Sequence, residues 1–228
     1  MTELFVFVEG QTEEQFVSRT LAPHLTGSGV FAKARVLPTK RNSSTGQVLN
    51  RGGGFFKTWK KELSIHLRSD ARPDLRFTTL FDLYGLPDDF PKLAELLCIS
   101  DTAKRADVAE SVFAEQFGDS RFQPYFQRHE FEAFLFADLG ALRGILDDAK
   151  DLSGLDTLAH KVARISPEDI DDGPTTAPSK RLVNAIRSYN KVLHGPLAVE
   201  SIGLATLRNQ CPRFGAWISS LELLGRRA

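Results

Sequence analysis

The chain opens on an unbroken apolar run, Leu4-Phe5-Val6-Phe7-Val8, with no polar positions alternating through it. That pattern fits a strand buried on both faces, as in the middle of a parallel sheet. Gly10 follows, and Thr12 with Gln15 three residues later has the spacing of a capping box. The helix it starts continues to about Leu25, with Phe16, Val17, Leu21 and Leu25 keeping a helical period. Residues 30–38 read as a second strand closed by Pro38, and 75–81 as a third. Between them, 39–54 collects Ser, Thr, Asn and four glycines with Lys40, Arg41 and Arg51, and reads as a mobile basic loop. Residues 55–67 read as a helix with Phe56, Trp59, Leu63 and Leu67 on one side. Strands and helices in alternation predict βαβ units and a mostly parallel sheet.

After Asp82, Leu83-Tyr84-Gly85-Leu86-Pro87 is a turn, followed by helical patterns at 91–98 and 104–117 and a fourth strand over 121–128. The remainder is mainly helical, at 131–146, 155–165, 178–192, 204–210 and 214–224, with an exposed turn at Asp171-Asp172-Gly173-Pro174. The expected architecture is an α/β core over 1–137, a mostly parallel four-stranded sheet flanked by helices. A helical C-terminal portion over 138–228 is expected to pack on it.

Composition narrows the function classes. At 228 residues, 42% hydrophobic and 25% charged, the chain is long enough to bury a real core and is ordinary for a soluble globular protein. Lys+Arg and Asp+Glu both number 29, so contact with nucleic acid would need a local basic patch. Cys98 and Cys211 are far apart and no CxxC occurs, which argues against a thiolate zinc site or a disulfide framework. No apolar stretch is long enough to span a bilayer and no basic leader precedes the first strand, so a cytoplasmic protein is expected.

The candidate chemistry sits at strand ends. The first strand runs into Glu9, the third into Asp82 and the fourth into His129-Glu130. In a parallel sheet those ends share the edge where such folds place ligands. An acid closing an apolar strand has to be paired, ligated or catalytic, which singles out Glu9. Glu13 lies at i, i+4 from Glu9 and can share a cation with it, or is a helix-start acid favoured by the macrodipole. Asp82 reads as a second ligand or as a turn-initiating Asp. His129-Glu130-Phe131-Glu132 is not a zinc-protease HExxH, because the second histidine is absent. Glu130 is the first candidate there, and Glu132 the second. Oxygen-rich ligation with at most one imidazole suits Mg²⁺ or Mn²⁺, ions that polarise phosphoryl groups and activate water. Lys40, Arg41 and Arg51, with Lys180-Arg181 after Pro178-Ser179, are candidate phosphate contacts or solvated surface charges.

Val8-Glu9-Gly10-Gln11-Thr12-Glu13 followed by Asp82 resembles the Toprim domain of OLD-type (overcoming lysogenization defect) nucleases. That family holds Mg²⁺ with a glutamate after strand one and an Asp-x-Asp after strand three. Glu9 and Asp82 match the pattern, while Tyr84 stands where the second aspartate belongs. The chain is also similar throughout to an uncharacterised bacterial family with VEGxTE, DxYGxP, HExEAxLF and PSK-R elements, here residues 8–13, 82–87, 129–136 and 178–181. The resemblance implies a metal-dependent nuclease in phage or mobile-element defence, working beside a co-encoded ATPase. With Glu130 or Glu132 replacing the lost ligand, Glu9, Asp82, His129 and Glu130 would be catalytic; Glu9, Glu13, Asp82, Glu130 and Glu132 would hold metal. Two alternatives remain: a non-catalytic module binding an ATPase or nucleic acid, and hydrolysis of a small phosphorylated substrate.

Overall fold

The structure, a computed structural model, describes residues 1–41, 48–51, 54–170, 173 and 175–227; the side chains of 38–41, 48–51 and 227 lie outside the description. The chain forms two compact units, residues 1–128 with 220–228, and residues 129–219.

The first unit is α/β. The apolar run becomes β1 (Thr2–Val8), followed by α1 (Gln11–Phe16), a single π-helical stretch over Val17–Leu21 and α2 (Ala22–Thr26). β2 (Val30–Val36) comes next, then β3 (Pro38–Arg41) and β4 (Val48–Arg51). α3 (Phe56–Ser69) leads into β5 (Leu75–Asp82), and α4 (Leu93–Leu97) and α5 (Thr102–Glu115) into β6 (Phe122–Gln123) and β7 (Phe126–Gln127). The main sheet has the order β2-β1-β5-β6, with β7 also against β5, and every pairing in it is parallel. The expected α/β class with a parallel sheet flanked by helices is what forms.

The fourth strand is one track interrupted at Pro124-Tyr125. Proline has no N–H to give a ladder. Thr79 bridges the gap: its hydroxyl accepts from the Tyr125 N–H at 2.9 Å and donates to the Tyr125 carbonyl at 2.8 Å. α3 and α5 are held on the sheet by a cluster of buried rings. Trp59 and Phe81 have centroids 4.6 Å apart, and Phe113 meets Phe122 edge-on at 5.3 Å. Each such ring removes roughly 150–250 Å² from water, the dominant stabilising contribution here. The last residues return to this unit: Thr2 Oγ1 donates to the Leu224 carbonyl at 3.0 Å, and His24 pairs with Glu222 at 2.7 Å.

Four local expectations change. The helix expected over 178–192 ends at Ala185, because Ile186 is extended, and a new helix starts at Lys191. The capping box does not form; α1 starts directly after Gly10, which makes no side-chain cap bond, and Thr12 is buried in the first turn. The strand-to-helix turn is too short to place Thr12 outside the helix. The stretch read as a loop over 39–54 contains an antiparallel ribbon, β3 with β4, whose register is irregular. Its β-compatible ends, Pro38–Arg41 and Val48–Arg51, pair around the Gly- and Ser-containing middle. The helix expected over 131–146 is instead two 3₁₀ stretches, Phe131–Ala137 and Leu139–Gly144, separated by extended Asp138. Residues 131–136 are all buried, so no polar face exists to favour an α-helical period.

The second unit is helical among its described residues: α6 (Ala149–Val162), α7 (Pro178–Ala185), α8 (Lys191–Gln210) and α9 (Pro212–Glu222), the last running into the first unit at Ser220. Gly203, at φ 76°, divides α8 into two helical pieces. Buried Glu168 starts α9, its carboxylate accepting from the Arg213 and Phe214 N–H groups at 3.2 and 3.0 Å. No helix among the described residues is long and apolar enough to cross a membrane.

Candidate functional site

The strand order places two of the candidate acids at the topological switch point. From β1 the chain moves outward to β2, then returns to β5 on β1's other side. The crevice at the C-terminal ends of β1 and β5 is where open parallel sheets bind ligands. Glu9 follows the last β1–β5 pair, Val8 with Leu80, and Asp82 ends β5. They are joined: Glu9 Oε1 accepts from the Asp82 backbone N–H at 3.0 Å. Both are half-buried, so the charged edge keeps solvent access while its position is fixed.

Glu13 belongs to the same corner. It is 6% exposed, and its Oε2 lies 3.0 Å from where a β-carbon on Gly10 would stand. Gly10 has an ordinary extended backbone (φ −144°), so the close carboxylate, rather than backbone freedom, makes glycine the fitting residue. Leu83 anchors the following turn, whereas Tyr84 is 53% exposed and does not pack on the core.

The residues of 129–132 lie in the second unit and have partners there. His129 Nε2 donates to the Glu168 carbonyl at 2.9 Å. Glu130 accepts from the Ser179 N–H at 2.8 Å, which makes it the N-terminal cap of α7. The HExE and PSK-R segments are therefore joined by a hydrogen bond. Glu132 is fully buried and accepts from Lys191 Nζ at 3.0 Å. Burial pushes the Glu132 carboxyl above its ordinary range, against the pull of the Lys191 ammonium. Tyr189 stands close enough that burial first, and then the charges of Glu132 and Glu130, push its hydroxyl up. Lys180 is exposed; Arg181 is half-buried, and its Nε donates to the Thr176 carbonyl.

Glu9, Glu13 and Asp82 thus share one corner of the first unit, and His129, Glu130 and Glu132 one segment of the second. Among the described residues, no group of three or more His, Cys, Asp or Glu is arranged to hold a metal ion. The Lys40, Arg41 and Arg51 side chains are outside the described ones. Sequence reading passed over Lys191, Tyr189 and Glu168. Asn190 was the available signal: its side chain accepts from the Val192 and Leu193 N–H groups and starts α8, which sets Lys191 at the first helical position. Glu168 follows Ser166-Pro167, a helix-start pattern whose distant client, α9, no local rule identifies.

Fold and corner together define a parallel α/β protein with carboxylates at its switch point. The chain belongs to a family described as a domain of unknown function (DUF4276), whose model matches residues 8–222 and so includes all four motif segments. No curated protein and no solved structure matches it.

Proposed function

We propose that the protein is a Mg²⁺- or Mn²⁺-dependent nuclease or related phosphoryl-transfer enzyme, with a Toprim-like catalytic core in its first unit. The observation that carries this reading is the Glu9–Asp82 connection at the switch point, two acids on neighbouring strand ends tied at 3.0 Å. The donor set fits the ion, because Mg²⁺ is commonly held by one or two carboxylates, with waters and substrate phosphate oxygens completing its shell. Glu9 and Asp82 would hold it, with Glu13 beside them. When bound, the ion supplies charge stabilisation at a phosphoryl group and lowers the pKa of water. The protein's own part is positional: the Asp82 N–H orients the Glu9 carboxylate, and Gly10 leaves room for Glu13. The substrate in this reading is nucleic acid, and a co-encoded ATPase is the partner that the Toprim resemblance implies, in a defence role.

A second reading, a non-catalytic module that binds an ATPase or nucleic acid, is favoured by Tyr84. This side chain stands where the resemblance calls for an aspartate and offers an exposed aromatic surface instead. One assay separates the two: Mg²⁺- or Mn²⁺-dependent cleavage of mixed DNA and RNA, with and without the ATPase. Catalysis predicts cleavage that falls about a hundredfold or more in Glu9→Gln and Asp82→Asn. Binding without cleavage in every condition supports the module.

A further inference from the structure

The second unit contains a basic pocket that shares no residue with the Glu9–Asp82 corner. It lies between α6 and α7 and the turn before α7, with a volume of about 380 Å³. The two helices touch at its floor: a β-carbon on Gly154 would stand 1.9 Å from the Ala185 carbonyl oxygen, so only glycine allows this approach. Lys161 and Arg181 supply two positive charges, and Ser153, Thr157, Thr175 and Thr176 supply four hydroxyls. Among the described residues, no carboxylate lines the pocket. Leu158 and Ala185 give it an apolar patch, and Asn184 an amide.

We propose that this pocket binds a small phosphomonoester. Two cations lining one cavity, with no acid among its described lining, repel each other, and an anion relieves that repulsion. The Arg181 Nε–H is committed to the Thr176 carbonyl, which fixes the guanidinium plane, and among the described residues its terminal nitrogens have no acceptor. A planar fork held in this way suits bidentate contact to phosphate. A phosphomonoester carries three acceptor oxygens and nearly two charges at neutral pH, matching two cations and the hydroxyls of Ser153, Thr175 and Thr176; the Thr157 hydroxyl donates to the Ser153 carbonyl at 3.0 Å. The volume exceeds what a bare phosphate needs and falls in the range of small-molecule sites, so an organic part can rest on Leu158 and Ala185. This inference does not depend on the metal-dependent reading, because it uses none of the residues of that corner.

The test is calorimetric titration of the full chain in EDTA, which removes any contribution from a divalent-metal site. The probes are adenosine 5′-monophosphate and glucose 6-phosphate, with adenosine, glucose and inorganic phosphate as controls. The expected result is saturable binding of at least one phosphomonoester and none of its dephosphorylated form, with affinity falling below about pH 6, where the phosphate loses its second charge. Lys161→Gln and Arg181→Gln should each weaken binding about tenfold or more. Lys161 is exposed, and its substitution should leave the melting temperature unchanged, which keeps the test valid if Arg181→Gln disturbs the Thr176 turn. No phosphomonoester binding, equal binding of the dephosphorylated controls, or unaltered affinity in Lys161→Gln would each overturn the proposal. So would binding confined to 5′-phosphorylated oligonucleotides, which would make the pocket a strand-end site.

Discussion

The Lys191 ammonium stands 3.0 Å from Glu132, whose side chain is wholly enclosed while that of Lys191 is 45% exposed. This is an asymmetric pair: the carboxylate bears the desolvation, and the lysine keeps much of its water. Among the described residues, one glutamate oxygen, Oε1, has no hydrogen-bond partner. Burial therefore outweighs the lysine and holds the Glu132 carboxyl above its ordinary 4.5.

The folded chain accordingly binds the Glu132 proton more tightly than the unfolded chain does. The stability contributed by that proton is complete below about pH 4.5 and is lost as pH rises through the raised folded value. Glu132→Gln should remove this decline and flatten stability against pH above that point. Trp217 fluorescence during urea unfolding follows the second unit once the other tryptophan, Trp59, is replaced by Phe. An unaltered pH profile in the Gln variant would refute the assignment.

Lys191→Met should destabilise the second unit by about 1–3 kcal/mol. A fully buried pair broken at one partner loses more, but Lys191 is half in solvent. The double variant Lys191→Met with Glu132→Gln should recover part of the loss, since no buried charge is then left alone. Additive losses in this cycle would mean that the pair does not couple.

Glu130→Ala should cost about 1 kcal/mol by removing the cap of α7, and Glu130→Gln less, because an amide oxygen still accepts from Ser179. Hydrogen exchange of the first-turn amides of α7 is the direct readout. Faster exchange throughout the chain, rather than there, would contradict a local cap.

In the first unit, Phe113→Ala should cost about 3–5 kcal/mol, because its ring meets those of Phe56, Trp59, Phe81, Phe90, Phe122 and Phe126. Phe113→Leu should cost distinctly less. Equal melting temperatures for the two variants would show that the site collapses around the vacancy.

Mg²⁺ or Mn²⁺ should raise the melting temperature by binding the native state alone, and Glu9→Gln with Asp82→Asn should abolish that rise. Gly10→Ala is the finer probe. It fits the backbone but displaces the Glu13 carboxylate, so it should diminish the metal-dependent rise with little change in metal-free stability. A metal response untouched by all three substitutions would assign the ligands elsewhere.

Much of this was legible in the chain alone. Short apolar runs such as Leu4–Val8 fit buried strands, and their alternation with amphipathic segments such as Phe56–Leu67 predicts an α/β fold with a parallel sheet. An acid directly after such a run, as at Glu9 and Asp82, has to lie at the sheet edge, because the period of the strand leaves it nowhere else. What sequence could not supply was order and partner. That β5 lies beside β1, so that Glu9 reaches the Asp82 N–H, depends on how the strands assemble. That Glu130 caps α7 and Glu132 meets Lys191 depends on contacts 49 and 59 residues away along the chain. Strand and helix periods are set by neighbouring residues. Long-range pairing is set by the packing of whole faces, and only the tertiary structure decides which polar group each buried carboxylate meets.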